Sequence, residues 1–587
     1  MKVVRVVPDV PSFSVDDGFA YRAQDGVTVG SIVRVPLGGR RVRGWVVSTG
    51  EPDRPRLKEV LGVSGDLPVF DRRLLDVLRW AASRYVAPLA ALLAKATPPN
   101  LPRLRDRPDL APVAPWPVTP VLADLADRIA HGGRSGPTTL VGPGPWGEAI
   151  EGIVAAVAGA GRTVVVIAAT FDEASVIAEQ LGSAMGDRVL LASSRVSAAQ
   201  TTAAWESAAS RPGTVLVGTR EVALWPWASP GLVVLAGEGR RGMKDKATPT
   251  VHAREAVIRR STVQRFSVLM CDLVPSAEAV SRSASVTAIG RRSWGHVEVV
   301  DRRDDPVGTG LLSPSTVAAL RAAVADNRRV LLFTDRRVAA QRCVRCRALR
   351  QCGRCGAGPG AGEACSRCGA PVGACEACGG RRFEALGSGA PRVLADAGRL
   401  IGREQVGEVG SGRPVVVGTE RDLPGLAVEL TIVIDADGPI LAPHYRASED
   451  ALRLLARAVA AAGSGRGRRA IVQTVDPDHP VVETLRQGNP IDFVRADAAR
   501  RSSMGFPPGG EIVALEASGL PSGAEADLVE EIAGRAEVLG PAVSGDGLRW
   551  LLQGRDLTAA RTVLRGVVGR WRESGARVRV DSDPIEL

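Results

Sequence analysis

Two hydrophobic rhythms divide this chain. Up to about residue 65, apolar and polar positions alternate in short runs. VGSIVRVPLGG and RRVRGWVVSTG flank a glycine turn there, the pattern of a β-hairpin. From 70 to 95 the apolar spacing becomes three and four, and DRRLLDVLRWAASRY and LAALLAKA predict helix. Residues 97–120, TPPNLPRLRDRPDLAPVAPWPVTP, are proline-rich and read as a linker. From about 139 short unbroken apolar runs take over: TTLVG, RTVVVIAAT, DRVLLAS, GTVLVGT, GLVVLAG and RFSVLM. Helical stretches such as FDEASVIAEQLGSAM lie between them. Unbroken apolar strands joined by helices predict a parallel sheet covered on both faces. A second set follows, with a helix at 313–326, the strands RRVLLFTD, RPVVVGTE and LTIVIDAD, a helix at 449–462 and the strand RAIVQTVD. The last hundred residues mix α and β and predict a further small domain.

Composition adds a partner class to this picture. At 587 residues the chain has room for about three to five domains. Its net charge of +11 and pI near 9.6 favour a polyanionic partner over an acidic small molecule. Only five of the 75 basic residues are lysine (Lys2, Lys58, Lys95, Lys244 and Lys246), so arginine abundance says less about binding than the clusters do. Those are GGRRVRG at 38–44, RRSW at 291–294 and GRGRR at 465–469. MKVVRVVPDV at the start has no signal-peptide core, and no apolar run approaches the roughly 20 residues of a membrane span. A cytoplasmic protein with no membrane partner is expected.

Eight of the nine cysteines fall between 343 and 378, as four C-x-x-C pairs: Cys343/Cys346, Cys352/Cys355, Cys365/Cys368 and Cys375/Cys378. A C-x-x-C turn presents two thiolates on one side of a tight loop, and two turns complete a tetrahedral shell suited to zinc. Four turns predict two zinc ions in structural sites. The residues between are Gly, Arg, Ala and Pro, too little for a core, so metal would supply the folding free energy. A disulfide knot and a redox C-x-x-C are the alternatives; a reducing compartment argues against the first and four tandem pairs against the second. Cys271, after the apolar run FSVLM, reads as a buried thiol.

TTLVGPGPWGEAIE at 138–151 leaves an apolar strand, turns through glycines and enters a helix. Gly142 and Gly147 have the spacing of the phosphate loop G-x-x-x-x-G-K-[ST]. Glu148 and Ala149 stand where that loop has its lysine and its magnesium-binding hydroxyl, and Pro143 and Pro145 remove two backbone donors.

In order along the chain, FAYRAQDGVTVGSIVRVPLGGRRVRGWVV, VGTREVALWP, PTVHAREAV, the eight cysteines, VVVGTERDLPG, VIDADGPILAPHYRASEDALRLL, IVQTVDPDHP and MGFPPGG resemble the PriA family of bacterial replication-restart helicases. The resemblance implies a multidomain α/β protein. Its parts would be a β-rich 3′-DNA-end-binding domain (1–98), two RecA-like lobes of superfamily 2 type (139–305 and 306–480), a two-zinc insertion at 343–378 and a small α+β C-terminal domain (481–587). The linker at 99–138 is too short for the winged helix such proteins carry, so that domain is expected to be missing.

Read against the same resemblance, the ATP-handling motifs are degraded. The acidic box falls on Ala236, Gly237, Glu238 and Gly239, and the motif that couples hydrolysis to movement falls on Asp272, Leu273 and Val274. The arginine-bearing motif of the second lobe falls on AVAAAGSG at 458–465, with Arg466 and Arg468 close behind. Neither a catalytic residue nor bound ATP is therefore expected. Phe19, Gly38 and Lys58 match residues around a terminal nucleotide. Ala20 replaces the aspartate that reads a free 3′ end. Ordinary strand packing for Phe19 and a solvated surface role for Lys58 stay open. So do core or base-stacking roles for Trp146 and Trp294, while His252, Arg254, Asp435 and Asp437 read as structural.

The expected function is a monomeric replication-restart factor without ATP-driven unwinding. It would bind branched or forked DNA and recruit primosome and replication proteins, among them single-strand-binding protein and the replicative helicase. An active 3′-to-5′ helicase and a zinc-dependent adaptor that has lost DNA binding are the alternatives.

Overall fold

The structure, a computed structural model, describes residues 2–50, 57–144, 146–306, 308–335, 340–354, 356, 364–365, 370–544 and 547–585. The valine-rich strand Lys2–Pro8 pairs antiparallel with Phe19–Ala23 on one side and Arg40–Gly50 on the other. Ile32–Leu37 and Gly62–Ser64 complete a five-stranded sheet. The sheet curls until its edges meet, because Arg22 donates its N–H to Lys58 O (2.9 Å), Val60 to Arg22 O (2.9 Å) and Leu61 to Arg34 O (2.8 Å). Val4, Val6, Tyr21, Val33 and Val46 fill the inside. The helices Arg72–Arg84 and Leu89–Ala96 cover the outer face through Ile32, Trp45 and Val47 and continue that core into the next sheet.

Residues 97–119 carry no helix or strand, yet they are pinned. Arg188 grips the carbonyl of Ala111 (2.6 and 2.9 Å), Arg107 pairs with Glu206 (2.8 Å) and Thr119 Oγ1 donates to Ala149 O (2.8 Å). The helix Ala123–Ala130 then packs into the core of the first lobe through Leu125 and Ile129. Within the stretch 99–138, expected as a proline-rich linker, the first part is a strap and the last part packs with the lobe.

All seven strands of the first large sheet are parallel. Their spatial order is Ser285–Ala288, Thr138–Val141, Ser267–Asp272, Pro230–Ala236, Thr163–Ala168, Val215–Gly218 and Val189–Ala192. Helices on both faces bury the unbroken apolar runs, giving a RecA-like lobe. A second parallel sheet runs His296–Asp301, Arg469–Thr474, Leu430–Val433, Val330–Phe333, Val415–Gly418 and Val406–Glu408. The expected division at 305 is corrected, because His296–Asp301 is an edge strand of this second lobe. The division at 481 moves too. Helices Pro480–Gln487 and Ile491–Ser503 pack on the second lobe through Val481, Leu485 and Val494. The C-terminal unit proper is a four-stranded antiparallel sheet from Glu511 to Ser582 backed by Ala524–Ile532 and Thr558–Glu573, with Trp550 and Trp571 in its core. Among the described residues no helix is long and apolar enough to cross a membrane.

Candidate functional site

The pairing of the first lobe brings three strand ends to one edge. Asp272 lies opposite Val141, and Cys271 opposite Ala236. The glycine loop, the acidic-box position and Asp272 therefore share the carboxyl edge of adjacent strands, where open parallel sheets bind ligands. Gly142 is buried and donates to Asp272 O (3.3 Å). A Cβ on Gly142 would meet Ile289 at 2.8 Å, and one on Gly147 would sit 1.9 Å from Gln180 Oε1, so both glycines are there for close packing. The loop helix, Trp146–Gly159, starts immediately after the loop. Glu148 lies exposed in its first turn, where a phosphate loop has its cation, and Ala149 offers no hydroxyl. Pro145 lies outside the described residues.

At the acidic-box position, Ala236 closes the strand, Gly237 turns with φ +74° and Gly239 donates its N–H to Asp272 Oδ2 (3.2 Å). Glu238 is fully buried and already saturated. It accepts from Arg254 Nη1 (3.0 Å), Ser276 N (2.6 Å) and Ser276 Oγ (3.0 Å). His252 caps the helix Ala253–Gln264 by accepting from Arg254 N (3.2 Å), and burial followed by the Arg254 charge keeps it neutral. Burial also pushes the Asp272 carboxyl up to about 6.

Facing this edge is a cavity of about 480 Å³ between the lobes, walled by Trp146, Ile177, Leu273, Leu426 and Ala461. Arg457 and Arg468 line it from the second lobe. The stretch 458–465 has no arginine, as its sequence shows, but Arg457 stands one residue before it and reaches the cleft. Sequence reasoning missed that residue and its partners. Glu173 Oε1 accepts from Arg240 of its own lobe and from Arg457 Nη2 across the cleft (3.4 Å). Glu420 closes a ring with Arg457 Nη1 at 3.0 Å and Arg240 Nη2 at 3.8 Å. Despite burial, which raises it, Arg240 and Arg457 hold the Glu173 carboxyl below its usual value. No sequence signal marks this ring, whose four members come from four separate segments.

In the N-terminal unit, Phe19 opens its strand and is 41% exposed, and Ala20 is paired with Arg5. Lys58 is exposed beside the same strand, held through its carbonyl by Arg22. Gly38 sits in the turn between Ile32–Leu37 and Arg40–Gly50 with φ +54°, a conformation glycine adopts freely. Tyr21, unlike Phe19, is buried and donates to Pro36 O (3.3 Å), tying the Phe19 strand to the strand that leads into Gly38. Arg40, Arg41 and Arg43 extend the basic surface from that turn.

The cysteines Cys343, Cys346, Cys375 and Cys378 converge, with all four Sγ atoms within 4.8 Å of one another. Cys343–Cys378 and Cys346–Cys375 stand at 3.6 and 3.5 Å. Tetrahedral thiolates about 2.3 Å from zinc are about 3.8 Å apart, so the donor set and spacing suit zinc. The first and last C-x-x-C turns thus form one site around the middle two. Cys352 and Cys365 are buried there, while Cys355 and Cys368 lie outside the described residues. Elsewhere Trp294 is core, donating to Leu485 O (2.7 Å), and Trp146 is half-buried on the cleft. Asp435 and Asp437 cap loops: Asp435 accepts from the backbone of Ala340, Asp437 and Gly438, and Asp437 from Thr474 Oγ1 and Val475 N.

Residues 5–98 match the family model of the PriA 3′DNA-binding domain (3′BD). Over its length the chain is similar to the probable replication restart protein PriA of Mycobacterium bovis, at 27% identity across 98% of both chains. It is also similar to the replication restart protein PriA of Treponema pallidum, at 24% identity across 100% of this chain and 99% of that one. Among solved structures, RecG bound to a three-way DNA junction aligns with 65% of this chain and 47% of its own, at 10% identity and TM-score 0.39. The DUF1998 helicase MrfA bound to DNA aligns with 78% and 66%, at 12% identity and TM-score 0.36.

Proposed function

We propose that this chain, which belongs to the PriA family of replication-restart proteins, binds stalled or branched forks as a scaffold and recruits replication proteins without ATP-driven unwinding. The observation that carries the reading is the state of the cleft. Phosphoryl transfer depends on positioned cations and a metal-holding carboxylate. Glu148 puts an anion where the loop needs its cation, Glu238 is consumed by Arg254 and Ser276, and Arg240 and Arg457, two of the three cleft arginines, are paired with Glu173 and Glu420. The N-terminal unit would supply DNA binding, with Phe19 stacking on a terminal base and Lys58 near its phosphate. Ala20, lacking a carboxylate, would relax the demand for a free 3′ end. The cysteine region would hold two zinc ions, one at Cys343, Cys346, Cys375 and Cys378 and one at Cys352, Cys355, Cys365 and Cys368, and present loops to protein partners. No winged helix would take part, since the strap occupies the connection.

A second reading, an active helicase, is favoured by the roomy cleft and by Arg457 and Arg468 on its far wall. One preparation carrying two zinc ions per chain separates the two. A fluorescent ATP analogue, a forked DNA and a hydrolysis assay are applied in parallel. The scaffold gives fork binding that weakens steeply with salt, with neither nucleotide binding nor turnover. DNA-stimulated hydrolysis would sink it in favour of the helicase.

A further inference from the structure

The geometry points to Glu173 as an internal ligand of the cleft: its carboxylate occupies an oxyanion site built by Arg240 and Arg457 and thereby latches the two lobes. Two guanidinium groups from opposite lobes converge on one oxygen of Glu173. Its other oxygen accepts from Thr170 Oγ1 (2.8 Å), which fixes the carboxylate in place at the start of the helix Phe171–Met185. That pair of arginines is what a phosphate or pyrophosphate group would need, because planar guanidinium donors match two oxygens at once. The rest of the cleft wall is mainly apolar, and its other arginine, Arg468, donates to the carbonyls of Val428 and Ala462, so an external oxyanion would find its converging pair of cations here. Glu420 of the second lobe also faces both arginines, but its contact across the cleft, to Arg240 Nη2, is the longer one at 3.8 Å, so Glu173, 3.4 Å from Arg457 Nη2, is the closer carboxylate bridge between the lobes. The side chains of Arg240 and Arg457 are 10% and 12% exposed and that of Glu173 24%, so the carboxylate is the accessible, replaceable partner. The latch concerns the same cleft as the functional reading but does not require it, because it makes a claim about an anion and not about hydrolysis.

The test uses the full zinc-loaded chain, inorganic pyrophosphate without magnesium, and calorimetric titration. Glu173→Gln keeps the size and the Thr170 contact and removes the charge. It is expected to bind pyrophosphate at least about tenfold more tightly than the parent, the effect of freeing charged donors. Glu173→Gln/Arg457→Gln is expected to lose that gain. Amide exchange over 171–174 and 420–427 is expected to rise in Glu173→Gln and to fall again with pyrophosphate. Should Glu173→Gln not fold, Glu173→Asp, which withdraws the carboxylate by one methylene, is read in the same two ways with a smaller gain. No gain in pyrophosphate affinity, or a gain that survives loss of Arg457, overturns the latch. Hydrolysis by the parent is scored separately: its appearance sinks the scaffold reading and leaves the latch standing, whereas a failed latch leaves the scaffold reading standing.

Discussion

Glu148 and Glu238 are one residue type in two settings, and each setting bears on phosphate chemistry differently. Glu148 is solvated at a helix start, so a nearby phosphate meets a like charge where a lysine would attract it; one such pair at 4 Å is worth roughly 4 kcal/mol at an effective dielectric near 20. Glu238 is sealed in an ion pair, and its three acceptor contacts leave little for a metal. Asp437 shows the opposite outcome of burial. Enclosed, and facing the like charge of Asp435, its carboxyl is pushed up to about 7 from an ordinary value of 3.8. The folded state therefore holds this proton more tightly than the unfolded chain does. Stability from this group is full at acid pH and falls as pH rises through the interval between the two values. Asp437→Asn removes the titrating proton and keeps an acceptor for Val475 N, while its amide NH2 turns the bond from Thr474 Oγ1 round so that the hydroxyl accepts. Thermal melting at pH 5 and pH 8 should therefore show a smaller loss at pH 8 for the variant than for the parent. His252, buried and neutral, works in the other direction below its ordinary 6.5, so the comparison is variant against parent. An unchanged pH dependence would mean that Asp437 is ionised throughout.

At the scale of elements, the strap over 97–119 crosses the loop helix at Gly152. A Cβ there would lie 2.3 Å from Pro117 O and 2.6 Å from Val118 Cα. In a free helix, Gly152→Ala would gain up to about 1 kcal/mol. Here overpacking of about 1–3 kcal/mol should outweigh it and lift the strap. Tryptic cleavage after Arg103 and Arg105 should accelerate in the variant; unchanged cleavage would show that the strap does not depend on that contact. The strap also marks the limit of what the sequence discloses. Its composition reads as a linker because proline prevents regular structure, but the grip of Arg188 on Ala111 O joins residues far apart and leaves no periodic trace. The interior strands were legible because burial on both faces makes an unbroken apolar run. The edge strand His296–Asp301, HVEVVD, was not, because it is half-exposed and its partner Arg469–Thr474 comes much later in the chain. C-x-x-C spacing disclosed the thiolates, yet four equal pairs could not say that the first turn meets the last. Phosphate-loop spacing found Gly142 and Gly147, while the ring of Glu173, Arg240, Glu420 and Arg457 needed the tertiary fold to exist.

Across the whole molecule, the lobes are joined by more than the cleft ring. Glu449, fully buried on the helix Ala447–Ala460, accepts from Ala277 N of the first lobe (3.0 Å), from Arg453 (2.7 Å) and from Arg501 on the helix Ile491–Ser503. Beside it Glu278 of the first lobe pairs with Arg446 of the second, and Arg446 also donates to Tyr445, which reaches the C-terminal Pro584 O (3.1 Å). Burial raises the Glu449 carboxyl, and the three arginines overcome that and hold it well below the carboxylate range. A charge so placed is costly to orphan: removing one partner of a buried pair costs about 3–5 kcal/mol. Glu449→Gln leaves Arg453 and Arg501 short of an anion and weakens the bond to Ala277 at once. Because that side chain touches the first lobe, the second lobe and the helix after it, the loss should fall on their coupling more than on either core. Calorimetry should then show the parent's lobes melting together and those of Glu449→Gln separating, with the first transition lowered. Lobes that still melt together at the parent's temperature would mean that apolar contact alone couples them. The distinction bears on the proposed scaffold role, since a core that moves as one body would present its surfaces in a fixed relation, which a core with loosely coupled lobes would not.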